Sequence, residues 1–488
     1  MVGTGVARST TTGTVRPALL VGGLSIVVLT VAVLQTAVVP VLGVIGEQLG
    51  ASTVAVSWAV TANLLAAIAA TPLLGRLADL YSKKRVLLGV LVVVLVGSIL
   101  AAVTSSLPLL IVARVLQGAS YALYPISVAV LREELPPGRL AGAMAVMSGT
   151  LGFGGGVGLV VVGLLMSGDA DYHRVFWLTT GFTVVVLAIV VFLVPARRRR
   201  AEGSIDWLGA VGLAAGLSAV LLAVTQGNAW GWVSARTLVC ALGGAAVLVA
   251  WWLWEKRRVH PLVSTRMLTK PAMLLTNLAT IFVGMGLYFA FLGLTQFVQI
   301  PREAAGYGFG ASVLQSSVVY LLPGAVTGFA VALVSGRFID RYGARRVLVV
   351  AAMAGVLGFV LLAVAHDQPW QVIAAGILAN AYISLGYGAL PALVVAEVEA
   401  GETGVATGIN AIARTVGSSM AAAVVAVLLG RSAPGTAVPM ESSFVVVFVA
   451  GAVTAALALT LIALTRARPR AVDPDALSHT RAMNHEWG

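Results

Sequence analysis

Long apolar runs, separated by short polar stretches, dominate the chain from one end to the other. Because a helix needs about 20 apolar residues to cross the hydrocarbon core of a bilayer, each run predicts one spanning helix. There are fourteen such runs, at 17–42, 53–75, 86–105, 108–131, 140–167, 174–195, 207–227, 234–254, 271–299, 310–335, 347–365, 369–395, 404–430 and 442–465. The pattern predicts an all-α polytopic membrane protein, and the first run is too long for a cleaved signal peptide.

One polar stretch between two apolar runs occurs twice. It reads GRLADLYSKKRV at Gly75–Val86 and GRFIDRYGARRV at Gly336–Val347. Such charged stretches are excluded from lipid, so each copy predicts a tight loop at the membrane surface. Two copies in matching places indicate a transporter built from two related halves. The acids at the fifth position, Asp79 and Asp340, can pair with basic groups or with the N-terminal dipole of a neighbouring helix, and so latch one conformation.

Both stretches resemble the signature loop of the major facilitator superfamily, which lies between helices two and three and recurs in the second half. The first copy departs from the family pattern at Ser82, where Gly is usual, and the second keeps Gly343. The resemblance implies two six-helix bundles that rock about a central site. It assigns these residues to the latch: Gly75, Asp79, Arg85, Gly336, Asp340 and Arg345.

The two central runs, within 207–254, contain few polar groups and look like the extra helix pair of fourteen-helix drug antiporters. With this pair set aside, six helices precede it, six follow it, and the two loops fall in register. The predicted division is a disordered tail (1–16), a first bundle (17–195), a basic linker (196–206), the extra pair (207–254), a cytoplasmic loop (255–270), a second bundle (271–465) and a tail (466–488).

The charge distribution fixes an expected orientation. A net charge of +12 would suit nucleic acid, but most of the 31 Lys and Arg residues fall on one side of the predicted membrane. This positive-inside bias predicts cytoplasmic termini in a plasma or inner membrane, with the bilayer as partner instead of nucleic acid.

Several classes of protein and site are not indicated by the sequence. Cys240 is the single cysteine, and the five His residues have no ligand spacing, so neither a metal nor a cofactor is expected. A phosphate-binding loop does not occur, and an enzyme is not indicated.

Arg114 lies inside a predicted membrane helix, in the stretch LIVARVLQGAS. A guanidinium there costs about 2.5–3.5 kcal/mol on insertion scales, and it cannot lose its proton. Gln117, Tyr121 and Tyr124 follow at helical spacing, which predicts one polar, aromatic cavity wall. The stretch is similar to the family's fourth-helix motif, whose Arg faces the central cavity and is linked to proton transfer. The alternative is a structural Arg bonded to backbone carbonyls.

Other polar residues in predicted helices complete the expected substrate or proton pathway. They are Gln35, Tyr288, Tyr320, Asn380, Asn410 and Arg414, with Arg114, Gln117 and Tyr121. Single Asn or Tyr residues can instead serve as contacts between helices. A glycine cluster in the fifth helix predicts close packing: Gly152, Gly154, Gly155, Gly156 and Gly158. It is similar to the family's antiporter motif, but Val160 stands where Pro is expected.

The expected function is efflux of a small amphipathic drug or secondary metabolite by a monomer, with proton coupling left open. No acid falls at mid-membrane, and Gln35 stands near the place where fourteen-helix antiporters typically carry Asp. Arg114 and Arg414 make the cavity positive, which predicts a neutral or anionic substrate. If protons are coupled, Asp79 or the membrane-edge Asp206 should carry them. The alternatives are a facilitator or importer of a small metabolite, and a receptor or scaffold without transport.

Overall fold

The computed structural model describes residues 16–166, 171–196, 204–259, 261–430 and 438–465. Within these residues, fourteen helices are long and apolar enough to cross a membrane. In hydrocarbon every backbone N–H and C=O must find a partner within the protein, and a helix supplies these partners within one apolar run. The predicted all-α fold with fourteen spanning helices is confirmed.

We number the spanning helices α1–α14 in chain order. They are α1 (Pro17–Thr36), α2 (Thr53–Leu80), α3 (Lys83–Val103), α4 (Leu107–Glu134), α5 (Pro137–Leu165), α6 (His173–Leu193), α7 (Trp207–Trp230), α8 (Ala235–Glu255), α9 (Pro271–Gln299), α10 (Leu322–Tyr342, preceded by the π-helical turn Ser316–Leu321), α11 (Ala344–Val364), α12 (Pro369–Ala396), α13 (Thr403–Leu429) and α14 (Glu441–Leu464). A short helix, Thr265–Thr269, lies between α8 and α9.

Two helices differ from their predicted form for local reasons. The first run was predicted to 42, but α1 ends at Thr36 and is followed by the 3-10 turn Val39–Val41, which contains a proline. Proline lacks the N–H that would continue the helix. The fourth helix is interrupted by a 3-10 turn at Ala119–Ala122. A 3-10 turn has about three residues per turn, so it changes which way the following side chains point.

The helices pack as two groups with the extra pair beside them. Within each half, α1–α6 or α9–α14, the helices contact one another. Across the interface, α5 contacts α10 and α2 contacts α13. Helix α7 packs on α8 and also touches α2 and α13. The domain boundaries given above stay a prediction. We call the side of the membrane that carries the loop 75–86 the basic side.

A seam of small residues and one aromatic pair joins α5 to α10. A Cβ on Gly156 would lie 3.1 Å from the Cβ of Ala325, and the rings of Phe153 and Phe329 stack with centroids 5.0 Å apart. Small residues let two helix backbones approach closely where lipid gives no hydrophobic drive to associate. From the basic side inwards the facing pairs are Gly142–Gly336, Gly149–Ala332, Phe153–Phe329 and Gly156–Ala325.

Candidate functional site

Asp79 joins the two halves at the basic side. Its side chain, near the end of α2, is 5% exposed. Oδ1 accepts the backbone N–H of Gly404 and Oδ2 that of Val405, each at 3.0 Å. These N–H groups belong to the first turn of α13, where they have no partner within the helix and carry the positive end of its dipole. A carboxylate placed there is held by both charge and hydrogen bonds.

Two glycines make this contact possible. A Cβ on Gly75 would lie 2.8 Å from the carbonyl oxygen of Gly404, and a Cβ on Gly404 would lie 2.7 Å from that of Gly75. Both distances are shorter than a Cβ tolerates, so α2 and α13 meet at a spacing that requires glycine at both positions. Gly75 was predicted to belong to the latch. Gly404 was not, because it lies at the start of a predicted helix and no motif marks it.

Arg132 makes a second link between the halves, which the sequence analysis missed. It lies in the last turn of α4. Its guanidinium donates to Thr403 Oγ1 at 2.6 Å and to the backbone carbonyls of Val398 at 2.6 Å and Glu399 at 3.1 Å. In the sequence Arg132 is one of many basic residues at helix ends, so charge alone could not distinguish it. We use the name latch for Asp79, Arg132 and their partners on the second half; that these contacts control opening stays a prediction.

The other predicted latch residues lie in different surroundings. Arg85 is exposed in the first turn of α3. Arg345 donates to two backbone carbonyls at the end of α14, in its own half. Gly336 lies against α5 at the end of the small-residue seam. The side chain of Asp340 lies outside the part of the chain that the structure describes.

Aromatic rings from both halves enclose Arg414 near the centre of the protein. The Arg414 guanidinium (α13) lies 5.2 Å from the ring centroid of Tyr124 (α4) and 4.5 Å from that of Tyr387 (α12). A cation over a ring face is attracted by the ring quadrupole, by about 2 kcal/mol when it is desolvated. Tyr387 is also within electrostatic range of Tyr288 (α9). We call Arg414, Tyr124 and Tyr387, with Tyr288 and its hydrogen-bond partner Gln35, the central cluster.

Hydrogen bonds cross the interface at the same cluster. Gln35 Nε2 (α1) donates to the hydroxyl of Tyr288 (α9) at 3.2 Å. Ser148 Oγ (α5) donates to the backbone carbonyl of Tyr387 at 2.9 Å. Gln35, Tyr288 and Arg414 were predicted pathway residues, and the structure brings them together. Tyr387 is added by the structure.

Tyr121 is a buried donor beside the central cluster. It lies in the 3-10 turn of α4, within electrostatic range of Arg114, Tyr288 and Arg414. Within the described part of the chain its hydroxyl has no hydrogen-bond partner. An unpaired buried hydroxyl is unfavourable. A water or a polar substrate group would satisfy it.

Arg114 and Gln117 lie inside the first half and not at the central cluster. Arg114 is 1% exposed. Its Nε donates to the Ala59 carbonyl at 3.1 Å, and its Nη1 donates to the Leu34 carbonyl at 3.2 Å and to Gln117 Oε1 at 2.5 Å. Gln117 in turn donates to Ser98 Oγ at 3.0 Å. This geometry matches the alternative interpretation, a structural Arg, and the cavity-facing role stays a prediction.

Arg114→Lys separates the two interpretations. A single ammonium cannot reach acceptors on α1, α2 and α4 at once, and hydrogen bonds to charged groups contribute about 1.5–3 kcal/mol each. We therefore expect a lower melting temperature of the purified protein together with a loss of most transport. Arg139→Lys, at an exposed position, is the matched control. Unchanged thermal unfolding with abolished transport would instead show that the guanidinium acts on substrate or protons.

Three other predicted pathway residues are placed away from the cluster. The ring of Tyr320 stacks on Phe309 with centroids 5.5 Å apart, at the end of α10 opposite the basic side. Asn380 donates to a carbonyl of its own helix at 3.1 Å and lies against Gly324 of α10. Asn410 donates to Asn277 and Thr280, which are both in α9. Asn380 and Asn410 thus lie at contacts between neighbouring helices.

The glycines of α5 face three different helices. A Cβ on Gly158 would lie 2.9 Å from Thr36 Oγ1 of α1. Gly154 and Gly155 also face α1, through Leu29 and Thr36. Gly156 faces α10, and Gly152 faces Ser384 of α12. The cluster therefore lies where α5 packs between its own half and the other half.

Comparison with known proteins places this architecture in a family. The family model described as Major Facilitator Superfamily matches residues 24–422, with a second match at 309–484. The chain belongs to the Major Facilitator Superfamily. Members of this family are transporters, not enzymes.

Relatives in the superfamily have different named activities. A tetracenomycin C resistance and export protein of Streptomyces glaucescens is 30% identical over 79% of this chain and 71% of its own length. A uridine/deoxyuridine transporter of Lactococcus lactis is 28% identical over 64% of this chain and 65% of its own. An uncharacterized transporter of Mycobacterium tuberculosis is 33% identical over 70% of this chain, but the match spans only about half (49%) of that relative.

A solved structure agrees with the fold. The crystal structure of a human organic anion transporter superposes with a TM-score of 0.63 at 14% identity, over 91% of this chain and 99% of that one. At this identity the likeness shows the superfamily fold alone.

Proposed function

We propose that the chain exports a small amphipathic drug or secondary metabolite by alternating access between its two halves. The central cluster carries this proposal: it presents aromatic rings, an arginine and polar groups from both halves at one place. Transporters with internal repeats bind substrate near the bilayer midplane between the repeats. Few polar groups among aromatic side chains suit a small amphipathic ligand. The named activity of the Streptomyces relative supports export.

The latch supports the alternating-access step. With Asp79 and Arg132 bonded to the start of α13, the halves are joined at the basic side, which the positive-inside rule assigns to the cytoplasm. Opening towards the cytoplasm breaks these bonds. The same rule assigns both termini to the cytoplasm and the protein to the cell membrane. We propose that one copy of the chain works alone, because each half of the central cluster comes from the same chain.

If protons drive export, we propose that Asp79 carries them. Protonation removes the charge that strengthens its two hydrogen bonds and so releases the latch. Asp206, the other candidate, accepts from Gly209, Trp254 and Arg258, all within or beside the extra pair. Its protonation would leave the interface between the halves unchanged.

The charge of the central cluster favours a neutral or anionic substrate. Arg414 lies in the cluster, and within the described spans the acidic side chains lie towards the helix ends, as Asp79 and Glu255 do. A permanent cation would meet a like charge there with no carboxylate to compensate.

The proposal is tested by uptake into inverted membrane vesicles under an imposed pH gradient. Neutral and acidic aromatic compounds are compared with a quaternary ammonium dye. We expect uptake of at least one compound of the first two classes and none of the dye. Robust uptake of the dye would contradict the charge argument, and no uptake of any compound would contradict export that is driven by protons.

Gln35→Asp should change the substrate range. The new carboxylate would lie opposite Tyr288, within the central cluster, and would offset the charge of Arg414. We expect uptake of the quaternary ammonium dye to become measurable, at least about ten-fold above the wild-type background, since one hydrogen bond or ion pair to a charged group contributes about 1.5–3 kcal/mol. Gln35→Asn controls for the shorter side chain, and equal dye uptake in both variants would contradict the prediction.

A second candidate function is uptake or facilitated diffusion of a nucleoside-like metabolite. The similarity to the Lactococcus transporter favours it, although that match covers less of both chains. The same polar donors, Gln35 and Tyr121, would then bind base or sugar groups. Accumulation of radiolabelled uridine by intact cells, without protection against toxic compounds, would select this function over export.

A further inference from the structure

An open apolar groove of about 490 Å³ lies between the extra helix pair and the second half. Leu217 of α7 with Val249 and Trp252 of α8 form one wall, and Ile281 of α9 with Ile412 of α13 form the other. Every lining side chain is apolar. The volume falls within the range of about 300–1,000 Å³ that is typical of ligand pockets.

The groove lies in the half of the bilayer next to the basic side. Trp252 is three residues from the end of α8, and Leu268 of the short helix Thr265–Thr269 contributes to the lining. Ile281 is ten residues from the start of α9, which is about 15 Å at 1.5 Å per residue. This is about half the thickness of the hydrocarbon core. The groove is therefore at the depth of the acyl chains of one leaflet.

Basic side chains surround the end of the groove at the membrane surface. Lys256 Nζ lies 5.8 Å from the ring centroid of Trp252, which lines the groove. Arg257 follows Lys256 directly and is exposed. Arg266 is also exposed, but it is two residues from Leu268 and therefore lies on another face of the short helix. Basic groups at such a position attract anionic lipid headgroups.

Two acids near this rim, Asp206 and Glu255, are already bonded. Asp206 pairs with Arg258 at 3.2 Å. Glu255 is 1% exposed and accepts the N–H of Leu262 and the indole N–H of Trp251. The two carboxylates are thus bonded to groups other than Lys256 and Arg257.

We propose that the groove is a binding site for an anionic phospholipid, with an acyl chain along the apolar wall and its headgroup phosphate at Lys256 and Arg257. An apolar chain alone would explain the wall, and a free anion alone would explain the rim. A phospholipid satisfies both at the observed depth. The bound lipid contacts α13 through Ile412, two turns beyond the latch residues Gly404 and Val405, on a helix that must move when the halves part.

The site is tested by native mass spectrometry of the purified full-length protein, and the test does not depend on transport. The protein is titrated in detergent with phosphatidylglycerol or phosphatidylcholine. We expect one tightly retained lipid with at least about a ten-fold preference for phosphatidylglycerol. Val249→Trp places a bulky side chain on the wall of the groove and should abolish retention of the lipid. Lys256→Gln should lower the preference about five-fold, the effect of one basic residue near a membrane surface.

Two substitutions on the same helix serve as matched controls. Val239→Trp and Arg236→Gln change equally exposed residues near the opposite end of α8, and both should retain lipid like the wild type. Unchanged retention by Val249→Trp would overturn the groove as the site. Equal retention of the two lipids by the wild type would overturn the anionic headgroup, and would leave the groove to a neutral apolar molecule.

Discussion

Asp79→Asn is expected to reduce export at least about ten-fold in a protein that still folds and reaches the membrane. Asn keeps the size of the side chain but loses the charge, and one of the two acceptor oxygens becomes a donor that faces a backbone N–H. Charge-assisted hydrogen bonds are roughly twice as strong as neutral ones, and each 1.4 kcal/mol is a factor of ten in a conformational equilibrium. The variant should therefore populate the state that is open at the basic side.

Cysteine labelling measures that shift directly. Thr71, 2% exposed at the contact between α2 and α13, is changed to Cys after Cys240 is replaced by Ala. A water-soluble maleimide should label position 71 faster when Asp79→Asn is also present. Glu133→Gln is the control, because Glu133 pairs with Lys83 at 2.5 Å within the first half. Normal export and slow labelling in Asp79→Asn would remove Asp79 from the latch.

Arg414→Gln is expected to reduce transport of an anionic substrate by about 10–100-fold. A hydrogen bond to a charged group contributes about 1.5–3 kcal/mol, and each 1.4 kcal/mol corresponds to a factor of ten in affinity. Transport of a neutral substrate should fall less. Vesicle uptake of a matched acid and its amide measures both effects.

Two further variants separate the parts of the cluster. Tyr387→Phe keeps the ring next to Arg414 and should retain transport, whereas Tyr387→Leu removes the ring and should not. Arg302→Gln, at an exposed position in the short helix Arg302–Ala305, controls for the loss of one positive charge. If the acid and the amide lose transport equally in Arg414→Gln, the guanidinium has a structural role and does not select substrate charge.

The number of helices could be predicted from sequence because it depends on length and hydropathy alone. Which face of each helix packs against the protein and which faces lipid could not be predicted. In lipid both the packed face and the exposed face of a helix are apolar, so the 3.6-residue period that marks a buried face in water-soluble proteins is weak. Asp79 was recognised because its loop is repeated, whereas Arg132 carries no repeat or motif and acts on carbonyls more than 260 residues away.

Arg114 shows a second limit of sequence reasoning. Its spacing to Tyr121 and Tyr124 predicts one face, on the assumption of a continuous α-helix. The turn at Ala119–Ala122 breaks that continuity, so Arg114 bonds within the first half while Tyr124 reaches Arg414. Polar residues in membrane helices therefore mark buried positions correctly, but their partners depend on local helix geometry.

The seam between α5 and α10 limits how the halves can rotate in the alternating-access mechanism proposed above. It continues from Gly142 at the basic side to Gly163, where a Cβ would meet Leu314 at 4.0 Å near the opposite surface. On the other flank, α2 and α13 meet closely at Gly75 and Gly404, near one surface. A contact that runs through the whole membrane resists separation at both ends, whereas a contact at one end resists only there. The axis of rotation should therefore lie along the seam, and the flank formed by α2 and α13 should sweep through the larger arc.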